Sequence, residues 1–202
     1  MNRPEGTVTF LFTDIEGSTK LWEAQPEAMR LALARHDALL RDAIETHNGY
    51  VFKTIGDAFC AAFTTATDAL EATLAAQHAL TGDPWSAETP LKVRMALHTG
   101  SVESRGGDYF GQPLNRVARL LSTGHGGQTL LSAATQELVR DSLPAAASLL
   151  ELGSHRLRDL GRPETIFQLL HPKLVAQFPA LRSLASLPNN LPLQPTDRKS
   201  VV

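Results

Sequence analysis

Three short stretches of this 202-residue chain bring side chains with chemical potential close together. In the first, Phe12-Thr13-Asp14-Ile15-Glu16-Gly17-Ser18-Thr19, a β-type run ends in a carboxylate and passes through glycine and hydroxyl residues into a helical pattern. Backbone N–H groups at such a helix start attract phosphate oxygens, and a carboxylate at the strand end can hold the magnesium that accompanies a triphosphate. A Ser or Thr N-cap after a tight turn is the plainer reading of the same residues. The second stretch is Lys53-Thr54-Ile55-Gly56-Asp57. A Gly-Asp pair is commonly just a turn, but an Asp57 that converges with Asp14 gives two carboxylates able to bind two cations, one for an attacking and one for a leaving oxygen. The third runs from Gly106 to Arg119 and includes Asp108, Asn115 and Arg119. Asn115 and Arg119 are four apart and share one face of a predicted helix. An amide beside a fixed cation suits a ribose and a phosphate whose charge changes in the transition state. Arg116 reads as a solvated residue of the same helix.

The elements that must carry these groups are legible from periodicity. Thr7 to Asp14 alternates as an inner strand, followed by one or two helices to about His47, where Asn48-Gly49 stops them. Tyr50 to Ile55 and Ala58 to Phe63 form a hairpin around Gly56-Asp57. A third helix spans Thr65 to Leu80, and Leu91 to His98 is a strand with Gly100 near its turn and Ser101 to Glu103 beginning its partner. A helix from Pro113 to Leu121, a strand from Gln128 to Leu131, a short helix from Ser132 to Val139 and strands near Leu149 to Leu152 and Ile166 to Leu170 follow. Helices alternating with hairpins predict an α+β sandwich with a largely antiparallel sheet. The expected domain is 1–171. Residues 172–202, rich in proline without periodicity, are expected to be a linker or extension that stays out of the core.

Composition fits a soluble globular chain: 43% hydrophobic, 20% charged, net charge −2. That balance gives no general attraction for nucleic acid or anionic membrane. Cys60 is the only cysteine and lies in an apolar run, as a small buried hydrophobe does in a reducing compartment. With no signal-peptide pattern and no run of membrane-spanning length, a cytoplasmic location is expected.

Taken together, the three stretches resemble the class III adenylyl and guanylyl cyclase catalytic domain, over about Gly6 to Leu170. The resemblance implies a ferredoxin-like, palm-type α+β sandwich acting as a head-to-tail homodimer, and conversion of ATP to cyclic AMP with two Mg2+ or Mn2+ ions. It implies that Asp14 ligates both ions, that the Ile15 carbonyl and Asp57 are further ligands, and that Lys53 and Asp108 read adenine. Asn115 then faces the ribose and Arg119 the α-phosphate. Phe12, Thr13, Glu16, Gly17, Ser18 and Thr19 line the substrate. The family usually grips the triphosphate with a lysine near the domain's end. Here His155-Arg156-Leu157-Arg158-Asp159 offers arginines, of which Arg158 fits the pattern better than Arg156.

Lys53 and Asp57 are four residues apart, roughly 13 Å along an extended strand. One chain can hardly aim both at one nucleotide, and the family's answer is a site shared between subunits. His98 follows an apolar strand with no carboxylate evident to orient it, and is read as structural. Two rivals stand. Gly106-Gly107-Asp108-Tyr109-Phe110 superficially resembles the diguanylate cyclase signature, although its fourth residue is no acid. A degenerate cyclase domain that binds nucleotide or dimerises is the other, kept open by the missing lysine. Residues 178–195 resemble a linker that joins some actinobacterial cyclase domains to an ATPase and a DNA-binding regulator.

Overall fold

The computed structural model describes residues 3–105 and 108–184; Gly106, Gly107 and the stretch from 185 onward, including Leu187 to Pro192, lie outside the described residues. Strand β1 (Thr7–Ile15) organises the rest. Val8 and Phe10 are buried on one face of it, Leu11 and Ile15 on the other, as a strand covered on both faces requires. It pairs antiparallel with β3 (Ala58–Phe63) on one edge and β4 (Val93–Ser101) on the other. Beyond β3 lies its hairpin partner β2 (Tyr50–Ile55). On the far side, β7 (Thr129–Ser132) pairs parallel with β4, and β9 (Glu164–Leu170) and β8 (Ser148–His155) continue antiparallel. The sheet order is therefore β2-β3-β1-β4-β7-β9-β8. A separate hairpin joins β5 (Glu103–Arg105) to β6 (Asp108–Phe110).

Helices α2 (Pro26–Thr46), α3 (Ala66–Gly82) and α5 (Ala133–Val139) cover the face that carries Leu11 and Ile15. The alanines of α3 let its backbone come close, and Thr65 caps it by accepting the Asp68 N–H at 3.0 Å. Helix α4 (Gln112–Thr123), with Val117 and Leu120, packs on the opposite face against Phe10, Ala62, Ala96 and Leu130. Short α1 (Ser18–Ala24) leads from β1 to α2. The expected α+β sandwich with a largely antiparallel sheet is what forms; β4 and β7, connected through α4, are its parallel pair. Among the described residues no helix is long and apolar enough to cross a membrane.

Two expectations need correction. Gly100 and Ser101 do not turn: they continue β4, paired with Val8 and Thr7, and the strand that begins at Glu103 pairs with β6 instead of folding back on β4. A strand held on both edges runs as far as its ladder does. The described part of the segment after β9, up to 184, also does not stay out of the core. Leu174 packs on the α2/α3 side, and Leu181, 4% exposed, is buried on the α4 side. Burying such a leucine stabilises by about 2 kcal/mol, enough to offset ordering a residue or two of coil.

Candidate active site

Asp14 and Asp57 meet at the end of β1. Asp57, in the two-residue turn at the tip of the β2–β3 hairpin, accepts the Ile15 N–H through Oδ2 at 3.0 Å, so the backbone of one proposed ligand anchors the side chain of the other. Asp14 alternates to the face of Phe10 and Phe12, half-buried. Its Oδ2 accepts Nε and Nη2 of Arg94 at 2.8 and 2.5 Å. Burial raises the Asp14 carboxyl above its ordinary range, outweighing the lowering by Arg94, and the neighbouring Asp57 charge adds to the rise. Arg94 was missed by sequence reasoning. The available signal was that it is the only Lys or Arg in β4; its place opposite Asp14 follows from the register.

Lys53 and Asp108 also come together, Nζ to Oδ2 at 3.6 Å, both partly exposed. They lie over an aromatic cluster in which Tyr109 stands edge-on to Phe52 and Phe10, with centroids at 4.9 and 5.2 Å. Tyr109 fixes this corner by donating its hydroxyl to the Pro4 carbonyl at 2.7 Å. Cys60 is buried beneath, its thiol pushed up to about 11 by burial, which leaves it protonated and inert at neutral pH.

On α4, Asn115 is exposed and Arg119 reaches Asp159, Nη2 to Oδ2 at 2.6 Å. Arg158 approaches the same carboxylate at 3.8 Å. The two arginines assigned to phosphates thus share one exposed acid, whose backbone has φ 60°; Arg156 is exposed with its carbonyl bound elsewhere. Arg116 is not a solvated residue as expected: it bonds the buried carboxylate of Glu164, because an acid on inward-facing β9 needs a cation. His98 is buried, with Nδ1 2.7 Å from Ser132 Oγ. Burial, aided by the Arg116 charge, lowers its imidazole to about 4, which fits a neutral structural histidine.

The turn after Asp14 is built on glycine. Gly17, at φ 74°, occupies the N-cap position of α1 with no side-chain cap, and its carbonyl accepts the N–H of Lys20 at 3.0 Å. The Ser/Thr N-cap alternative is therefore not what forms; Ser18 and Thr19 sit inside the first turn, their N–H groups outside the helix's own ladder. Phe12 leans on Phe52, and buried Thr13 accepts the Phe59 N–H at 3.2 Å, tying β1 to β3. Glu16 finds its partners elsewhere, on the 125–127 turn and the segment after β9. Its Oε2 accepts the Gly126 N–H at 3.1 Å and its Oε1 takes Arg182 at 2.5 Å. Burial opposes its ionisation, yet Arg182, the Gly126 N–H and His125 together lower its carboxyl below the usual range.

Residues 1–169 match the adenylate and guanylate cyclase catalytic domain. The chain belongs to that family. It is 45% identical over 190 residues to an uncharacterised protein of Mycobacterium tuberculosis, an alignment that takes in 93% of this chain and 64% of that protein. The chain thus spans a little under two-thirds of that relative's length, and the alignment extends past the family match into the segment after β9. A receptor-type adenylate cyclase of Trypanosoma brucei brucei is 32% identical over 205 residues, 80% of this chain and 36% of that protein. A solved Trypanosoma brucei adenylate cyclase, described in its monomeric state, superposes with TM-score 0.79 at 28% identity, covering 90% of this chain and 95% of that one. The guanylate cyclase domain of Catenaria anguillulae in complex with GTP gives TM-score 0.73 at 17% identity over 84% of this chain and 99% of that one, a likeness of fold.

The donor set of this cyclase domain fits hard divalent cations. Both Arg94 bonds fall on Oδ2 of Asp14 and the Ile15 N–H on Oδ2 of Asp57, so among the described residues each Oδ1 stays open. No group of three or more His, Cys, Asp or Glu forms a cage among the described residues. Few carboxylates completed by substrate phosphates is the arrangement magnesium prefers.

Proposed function

We propose that the chain is an adenylate cyclase that converts ATP to 3′,5′-cyclic AMP and pyrophosphate at a site completed by a second copy. The observation that carries this reading is the convergence of Asp14 and Asp57, tethered through the Ile15 N–H. The ribose 3′-oxygen bonds to the α-phosphorus, the bond to the pyrophosphate oxygen breaks in line, and the hydroxyl proton leaves to water. Two magnesium or manganese ions, when bound, supply Lewis acidity at the attacking and leaving oxygens. Asp14, Asp57 and the Ile15 carbonyl would hold them. Asn115 orients the ribose, Arg119 offsets charge on the α-phosphate, and Arg158 holds the outer phosphates once Asp159 yields them. Phe12, Thr13 and the 17–19 turn flank the triphosphate, where N–H groups outside the α1 ladder favour its oxygens.

Lys53 and Asp108 favour ATP. A cation beside an acceptor suits adenine's ring nitrogen beside its exocyclic amino group, and guanine presents the donor and acceptor in the other order. Exposed Ile55 (59%) and Phe110 (51%) flank this pair and support its being covered by another subunit.

The test is product analysis of the purified chain with ATP or GTP and each metal. Cyclic AMP from ATP is expected, with Asp57→Asn lowering turnover about a hundredfold or more. Lys53→Glu with Asp108→Cys should cut ATP use about tenfold and admit GTP. Unchanged ATP turnover in that double variant would remove the pair from base recognition, and nucleotide binding without any cyclic product would favour the regulatory reading.

A further inference from the structure

Residues 181–184 lie beyond the family match, yet they touch three of the pieces that carry the site. The Arg182 N–H donates to the carbonyl of Thr123 at 3.0 Å, at the end of the helix that bears Asn115 and Arg119. Its side chain donates through Nη2 to Glu16 Oε1 at 2.5 Å, two residues from Asp14. The Leu184 N–H donates to the Arg156 carbonyl at 3.2 Å, just ahead of Arg158 and Asp159. Leu181 anchors the segment in the core on the α4 side.

The contact to Glu16, though partly exposed, has further partners. Its other oxygen takes the Gly126 N–H, and a Cβ on Gly126 would lie 2.9 Å from Glu16 Oε2 and 2.6 Å from Lys92 Cβ, so the close approach of Glu16 on this side needs glycine there. His125 completes the corner: Nε2 lies 3.1 Å from the Ala180 carbonyl and Nδ1 3.1 Å from Arg182 Nη2. The tautomer protonated on Nε2 satisfies both, donating to the carbonyl and accepting from the guanidinium.

We infer that Leu181–Leu184 form a clamp that keeps the cation-holding end of β1 in register with α4 and the 156–159 turn, with Arg182 as its positioning residue. This rests on the cyclase reading. In a head-to-tail pair, the β1 end and α4 of one copy serve different sites, so the clamp sets the relation between the two sites of the dimer. Its loss shifts the end of β1 without removing any ligand, and the deficit falls on the cation requirement.

The experiment compares the full chain with Arg182→Ala, Arg182→Lys and Glu16→Gln. Two readouts are taken: the Mn2+ concentration giving half-maximal cyclic nucleotide formation, and direct Mn2+ titration by electron paramagnetic resonance with no nucleotide present. Arg182→Ala should raise the Mn2+ requirement in both about threefold to fivefold, the size that an ion pair of this exposure supports. Arg182→Lys should recover part of it. Glu16→Gln should match Arg182→Ala, and the two together should add nothing further. An unchanged Mn2+ requirement in Arg182→Ala, with or without a lower melting temperature, overturns the clamp. A wild-type chain that makes no cyclic nucleotide sinks the cyclase reading, while the Mn2+ titration still decides on Arg182.

Discussion

His98 shows how burial sets the chemistry of a single side chain. Its imidazole is lowered from 6.5 to about 4 in the folded chain, while the unfolded chain takes up a proton near the ordinary value. The stability this neutral ring contributes is therefore complete above pH 6.5 and is lost as pH falls toward 4, by about 3 kcal/mol at most. Melting temperatures measured across that range should fall less steeply for His98→Gln than for the wild type; His36 and His78, also lowered, keep some slope in both. Parallel curves would show that His98 is not the group responsible. Asp14 and Asp57 were legible as carboxylates at a strand end and a hairpin tip, Asn115 and Arg119 by their spacing on one helix face, and Lys53 and Asp108 through the family resemblance. Their partners were not. Arg94, Asp159 and Glu164 find Asp14, Arg119 and Arg116 across 80, 40 and 48 residues of chain, and no local pattern specifies a contact that register alone creates.

At the scale of elements, β4 and α4 meet at Gly100. A Cβ there would lie 2.7 Å from Pro113 Cγ and 3.2 Å from its Cβ, and a proline ring in the first turn of α4 cannot swing aside. Gly100→Ala should therefore displace the helix start by a few tenths of an ångström, costing about 1–3 kcal/mol of stability and moving Asn115. Turnover at saturating ATP should drop about tenfold at temperatures where the variant is fully folded, since small misplacements are costly to an aligned reaction. A lower melting temperature with unchanged turnover would show that this contact does not set α4 for catalysis. Strands and helices were readable because alternation and helical spacing survive in sequence. Gly100 misled because glycine near a strand end signals a turn as readily as a close approach. The strap holding Leu174 and Leu181 was invisible for a related reason: isolated anchors in extended coil have no period.

For the whole molecule, the decisive question is whether one copy suffices. Asp14 and Asp57 form one cluster, Lys53 with Asp108 a second, and Arg119 with Arg158 at Asp159 a third. The α+β sandwich was legible because each element's buried faces dictate what must cover them. Assembly was implied by the family resemblance, with the Lys53–Asp57 spacing as its physical reason. Asp14→Ala and Asn115→Ala should each be nearly silent, and mixing them under conditions of proven subunit exchange should restore up to about a quarter of wild-type activity, the share expected if half the random pairs each hold one intact site. No recovery would end the shared-site scheme.

One irregularity in the sheet governs more than its size suggests. Between Val51 and Lys53 the β2–β3 ladder slips, so that Phe52 and Lys53 together face a single residue, Cys60. A bulge of this kind re-aims side chains, and here neighbouring residues both lean on β6: Phe52 on Tyr109, Lys53 on Asp108. In an unbroken ladder consecutive side chains part to opposite faces, and the ammonium would turn its back on its acid. On the proposed reading of Lys53 and Asp108, discrimination between purines depends on a miscount of one residue between two strands.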